Sequence, residues 1–169
     1  MRLAVAALLA LSLAAPAAAG APAPRMTIKS FEQLHQPLPL PYREGANADR
    51  DVSAALARAS KSGKLLLIDL GGNWCLDCRL LAGTMEEQPL KAWIARHYET
   101  VMVDVGRFDK NLQIPRRFGI SKRLEGVPAI LVVNPRTDKL VNAGHVTALA
   151  DARSMSPQSL ADWLARWVR

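Results

Sequence analysis

Residues 65–70 read Leu-Leu-Leu-Ile-Asp-Leu, a run in which Asp69 is the single polar interruption. Apolar residues on both alternating sets of positions suit a strand covered on both faces, which calls for a sheet with helices above and below it. The flanking sequence supplies such helices. Asp49 or Asp51 is placed to cap a helix running to about residue 62, with Val52, Ala55, Leu56 and Ala59 on one face and Gly63 at its end. A second helix is expected from about Cys75, through a kink at Pro89, to about His97. Residues 100–105 read as the next strand, and 115–118 as a helical turn. Residues 129–133 and 139–143 form a strand pair joined by 134–138. Ser156-Pro157 opens a closing helix with Leu160, Trp163, Leu164 and Trp167 inward. This order predicts an α/β sandwich with a right-handed crossover between its parallel strands.

The 169 residues suffice for one domain of ordinary size. Half are apolar and 22% are charged, which excludes wholesale disorder. Met1-Arg2, an apolar run over residues 3–15 broken by Ser12, and Ala17-Ala18-Ala19 have the form of a secretory leader over residues 1–19. The run is short for a membrane span, so export to a bacterial periplasm is expected. Residues 20–48 form a Pro-rich extension ahead of a domain over 49–169. Residues 20–25 are expected to be a mobile tail, 26–31 a short strand, and Gln-Pro-Leu-Pro-Leu-Pro-Tyr an extended segment. The chain carries 22 Lys and Arg against 15 Asp and Glu, but the cations are scattered. Only Arg116-Arg117 and Lys122-Arg123 bunch, with the aromatic Phe118 between, a pattern of a solvated face and not of a nucleic-acid groove.

The chemistry is concentrated in Trp74-Cys75-Leu76-Asp77-Cys78, which holds both cysteines of the chain. Residues i and i+3 of a helix share a face, so the two sulfurs can close a bridge across one turn. At a helix start, Cys75 lies near unpaired N–H groups that favour thiolate over thiol and suit it to be the nucleophile. Cys78, one turn deeper, suits the resolving role. Asp77 sets a negative charge beside the thiolate and opposes its formation, with Arg79 available to offset it. A permanent structural bridge and a metal site remain as alternatives. Of the possible further ligands, His35, His97 and His145, none has ligand spacing to the pair, so neither metal nor cofactor is expected.

Ile68-Asp69-Leu70-Gly71-Gly72-Asn73-Trp74-Cys75-Leu76-Asp77-Cys78-Arg79 resembles the active-site segment of thioredoxin-like proteins. Gly126-Val127-Pro128-Ala129 resembles that family's cis-proline loop, and Arg117-Phe118-Gly119-Ile120 the segment leading into it. The resemblance implies a thioredoxin fold, a central mixed sheet flanked by helices, and thiol–disulfide exchange. By position it makes Cys75 the nucleophile and Cys78 the resolving thiol, with Trp74 shielding the site. It makes Pro128 cis, leaving the Val127 backbone to pair with an extended substrate segment. It gives Asp69 the role of helping the proton off the resolving cysteine; the alternative is a side chain at the sheet's rim bonded to a backbone donor. The family's lysine partner for that acid has no match in residues 100–105, Leu76-Asp77 stands where Gly-Pro is common, and residues 106–117 add length. The expectation is an exported, monomeric thiol–disulfide oxidoreductase working on protein disulfides and thiols. It would run in the reducing or isomerase-supporting direction, fed by a membrane electron donor. The alternative is a thioredoxin-fold binding module with an inert or metal-binding cysteine pair.

Overall fold

The computed structural model describes residues 20–169; the leader over residues 1–19 lies outside the described residues. A four-stranded sheet forms the centre. Its strands are β1 (Leu65–Gly71), β2 (Tyr98–Asp104), β3 (Ala129–Asn134) and β4 (Lys139–Leu140), in the spatial order β2-β1-β3-β4. β1 pairs parallel with β2 and antiparallel with β3, and β3 pairs antiparallel with β4. The sheet is therefore mixed, and β1 lies inside it with neighbours on both edges.

Alternation along β1 sends Leu66, Ile68 and Leu70 to one side of the sheet and Leu67 to the other, all fully buried. The first set packs with Val52, Ala55 and Ala59 of α1 (Ala48–Ser62). Leu67, with Ile130 and Val132 of β3, packs against α2 (Leu76–Glu86), α3 (Leu90–His97) and α5 (Pro157–Ala165) through Leu81, Trp93, Leu160 and Leu164. A fifth, short helix, α4 (Gln113–Arg117), precedes the loop into β3. Among the described residues no helix is long and apolar enough to cross a membrane.

Several sequence expectations shift in the folded chain. α1 is capped by Asn47, whose side-chain oxygen accepts from the Arg50 N–H at 2.9 Å, while Asp49 and Asp51 occupy the first turn, where carboxylates favour the helix dipole. The helix expected over 75–97 is two helices. Pro89 has no N–H to continue α2 and instead occupies the position before α3. The last strand stops after Leu140 because the Asn142 side chain takes over the ladder, accepting from the Val132 N–H at 2.9 Å and donating to the Ile130 carbonyl at 2.7 Å. Trp167 lies beyond the end of α5 and meets Trp163 edge-on at 5.5 Å between ring centres.

The extension differs most from expectation. Residues 26–31 form no strand; a 3-10 turn, Phe31–Gln33, is set up by the Gln33 side chain accepting from the Lys29 and Ser30 N–H groups. The tail expected to be mobile is docked on α5. There Gln158 accepts from the Met26 N–H at 2.9 Å and donates to the Pro24 carbonyl at 3.1 Å. The Pro-rich segment is not helical, as read, but it bends at Gln36-Pro37, where the peptide bond is cis, before running along α2. Leu34 and Leu38 pack on Leu80, and Arg79 donates to the Leu38 and Pro39 carbonyls at 2.9 and 3.2 Å.

Candidate active site

β1 ends at Gly71, and residues 72–75 turn the chain from the sheet into α2, with the Cys75 N–H donating to the Gly72 carbonyl at 3.0 Å. Cys75 takes the cap position of α2 with extended backbone, and Cys78 lies in the first turn. The two are joined as a disulfide with Cα atoms 5.3 Å apart. The Cys78 N–H points at the Cys75 sulfur at 3.1 Å, one of the helix-end donors that a thiolate would use. Cys75 keeps 5% of its surface exposed and Cys78 none, so what access there is belongs to Cys75.

Across from the pair, the Val127–Pro128 peptide bond is cis. The Val127 carbonyl lies 3.5 Å from the Cys75 sulfur, and the Val127 N–H has no partner among the described residues. Trp74 stands at the mouth, 44% exposed, with its indole N–H donating to the Gly106 carbonyl at 2.8 Å. The segment that sequence reading marks as extra length thus supports this ring. Phe108 meets it edge-on at 6.3 Å, the Arg107 guanidinium lies 4.5 Å above it, and Arg123 lies 5.5 Å above Phe108.

Asp69 is wholly buried, paired in register with Met102 on one side and Ile130 on the other. Its Oδ1 accepts from the Tyr42 hydroxyl at 2.8 Å, and its Oδ2 has no partner. A rim position bonded to a backbone donor is thereby excluded. Burial pushes the Asp69 carboxyl up to about 7, with the Tyr42 hydrogen bond opposing the rise. Burial, reinforced by the Asp69 charge, likewise lifts the Tyr42 hydroxyl far above the phenol range.

Tyr42 was not legible as a site residue: it closes the Pro-rich segment, and nothing in its local sequence points at Asp69. The structure fixes its main chain through Asn73, which accepts from the Tyr42 N–H at 3.1 Å and donates to the Tyr42 carbonyl at 2.8 Å. A methyl group on Gly71 would collide with the Tyr42 hydroxyl and lie 2.8 Å from the Cys78 sulfur, so both groups occupy one small space over that glycine.

The negative charge expected to oppose the Cys75 thiolate is masked by Arg153. Asp77 is buried and does not lie bare beside Cys75; the Arg153 guanidinium grips both its oxygens and the Arg153 N–H adds a bond at 2.9 Å. Burial alone would raise the Asp77 carboxyl, but these bonds and the Arg153 charge outweigh it and hold the group below its ordinary value. Arg79, expected to offset Asp77, is spent on the Pro-rich segment. The three histidines lie elsewhere: His97 at the end of α3 against Trp93, His145 against Trp167, His35 exposed. Among the described residues no cluster of His, Cys, Asp and Glu is fit to hold a metal ion.

A family model described as thioredoxin-like matches residues 47–135. A crystal structure of a disulphide isomerase from Xylella fastidiosa Temecula1 is 40% identical and superposes with a TM-score of 0.70, over 76% of this chain and 97% of that one. A protein of unknown function from Pseudomonas aeruginosa, 16% identical over 70% of this chain and 81% of its own, superposes with a TM-score of only 0.36. No curated protein sequence matches. With the sheet order and the helix-capping Cys75 in agreement with the family-model match and the likeness to the Xylella fastidiosa structure, the chain belongs to the thioredoxin-like family.

Proposed function

We propose that the protein is an exported thiol–disulfide oxidoreductase acting on protein disulfides and thiols in a bacterial periplasm. The observation that carries the reading is the Cys75–Cys78 disulfide at the start of α2, facing the Val127–Pro128 loop. In the reduced protein the Cys78 N–H and the helix dipole favour a Cys75 thiolate. That thiolate attacks a client disulfide; a bond forms between Cys75 and one client sulfur, and the other client sulfur leaves as thiolate. Cys78 then gives up its proton and attacks the Cys75 sulfur. The internal disulfide re-forms, the second client sulfur leaves, and two electrons have passed to the client. Asp69 is the group that takes the Cys78 proton. The free Val127 N–H and its carbonyl are placed to pair with an extended client segment, and Trp74 covers the exchanging sulfurs.

The direction is reducing or isomerising. Asp77 no longer supports it, because Arg153 neutralises that carboxylate; the similarity to a disulphide isomerase does. Export rests on the leader pattern of residues 1–19. A membrane protein is the proposed electron donor, and the protein acts as a monomer.

Cys78→Ser in the native host tests the reading: it should accumulate mixed disulfides through Cys75 that identify the clients, whereas Cys75→Ser should trap none. Failure of Cys75 to be alkylated after mild reduction would return the pair to a structural bridge. A reduction potential near the strong-oxidant end, about −120 mV, would overturn the direction.

A further inference from the structure

The extension supplies more than cover. We infer that Tyr42 is a positioning residue of the exchange site, holding Asp69 by one oxygen so that the other stays bare to receive the proton of Cys78. The inference deepens the proposed function and rests on its assignment of Asp69 as the base.

A carboxylate buried in a sheet core needs a donor to hold its orientation, and Asp69 has one only, the Tyr42 hydroxyl at 2.8 Å on Oδ1. That bond leaves Oδ2 without a protein partner in a fully buried position. An unpartnered buried oxygen is costly unless something shares it. The Tyr42 hydroxyl shares the space over Gly71 with the Cys78 sulfur, which becomes a thiol when the disulfide is reduced. Sheet neighbours offer nothing: Met102 and Ile130 are apolar. Of the other acids at this end, Asp77 is held by Arg153, and Asp104 on β2 is engaged by the Gly106 N–H at 2.9 Å and by Lys110 at 3.6 Å.

The step balances simply. The Cys78 S–H bond breaks with its proton passing to Asp69 Oδ2, the Cys78 electron pair attacks Cys75 Sγ, and the client sulfur departs with the bonding pair and takes a proton from solvent. Tyr42 keeps its own proton throughout. Its clamp is rigid because Asn73, in the turn that leads to Cys75, grips the Tyr42 main chain from both sides. A hydroxyl donated to the carboxylate also favours the ionised form, so that Asp69 can act as a base near neutral pH.

The test uses the reduced full-length mature protein and 5,5′-dithiobis(2-nitrobenzoate) in stopped flow. The first thionitrobenzoate release reports Cys75 attack and the second reports closure by Cys78. Tyr42→Phe should leave the pH dependence of the first release unchanged and move the midpoint of the second up by about one pH unit. A 3-fluorotyrosine at position 42, which keeps the ring and strengthens the donor, should move it down. An unshifted second release in either folded variant overturns the role of Tyr42. Asp69→Asn separates the two levels: it should slow the second release and flatten its pH dependence. If it leaves that release untouched, the assignment of Asp69 as base fails, and with it the inference.

Discussion

Arg153 closes over Asp77 with its guanidinium and its backbone N–H, tying the segment before α5 to the first turn of α2. An acid two positions after the attacking cysteine is thereby neutralised by a residue 76 positions away in sequence. Arg153→Met should leave the buried Asp77 uncompensated, raising the Cys75 thiol pKa by roughly half a unit, and Asp77→Asn in the same chain should reverse the rise. Thiolate absorbance against pH reads both. The pair also predicts an acid limb in stability. Asp77 titrates lower in the folded chain than in the unfolded one, so its contribution is full above the unfolded carboxyl value and is lost as pH falls through the folded one. Urea melts below about pH 4 should show this limb in the native chain and a smaller one in Arg153→Met.

Gly71 is required by close approach. An added methyl group meets the Tyr42 hydroxyl and, at 2.8 Å, the Cys78 sulfur, neither of which can withdraw from a packed site. Gly71→Ala should cost about 1–3 kcal/mol, the usual penalty of an overfilled core, and should displace Tyr42. Denaturant unfolding of the oxidised protein measures the loss; a variant as stable as the native chain would contradict the packing described.

Asp69 should tax stability at neutral pH. Its folded value of about 7 lies above the unfolded value near 3.9, so between them the native state holds a proton that the unfolded chain has released. Stability from this group is full below about pH 4, falls as pH rises toward the folded value, and is level beyond it. Asp69→Asn removes the effect. Its stability relative to the native chain should climb by up to roughly 4 kcal/mol between about pH 4 and pH 8, read by urea unfolding of both oxidised proteins. Parallel curves would show that Asp69 does not titrate in this way.

Much of the scaffold was legible because its signals are local. The apolar run of β1 could be stable only inside a covered sheet, and the structure pairs it on both edges. Ser156-Pro157 starts α5 as read, with the Ser156 hydroxyl accepting from the Ser159 N–H at 3.1 Å. Where competing caps lay within a few residues, as with Asn47, Asp49 and Asp51, local reading chose wrongly, because only the folded turn decides which oxygen reaches which N–H.

The sequence by itself determined the chemistry of the site. Two sulfurs one helical turn apart, at the junction of a buried strand and a helix, are properties of spacing, and spacing is written in the chain; the proline loop that faces them was legible only through its resemblance to the thioredoxin-like family. Tertiary structure alone decided the electrostatics. Whether Asp77 opposes the thiolate, what holds Asp69, and what Arg79 does depend on Arg153, Tyr42 and the Pro-rich segment, residues brought in from 76, 27 and about 40 positions away. Charge interactions act through space and depend on burial, so no local pattern encodes them.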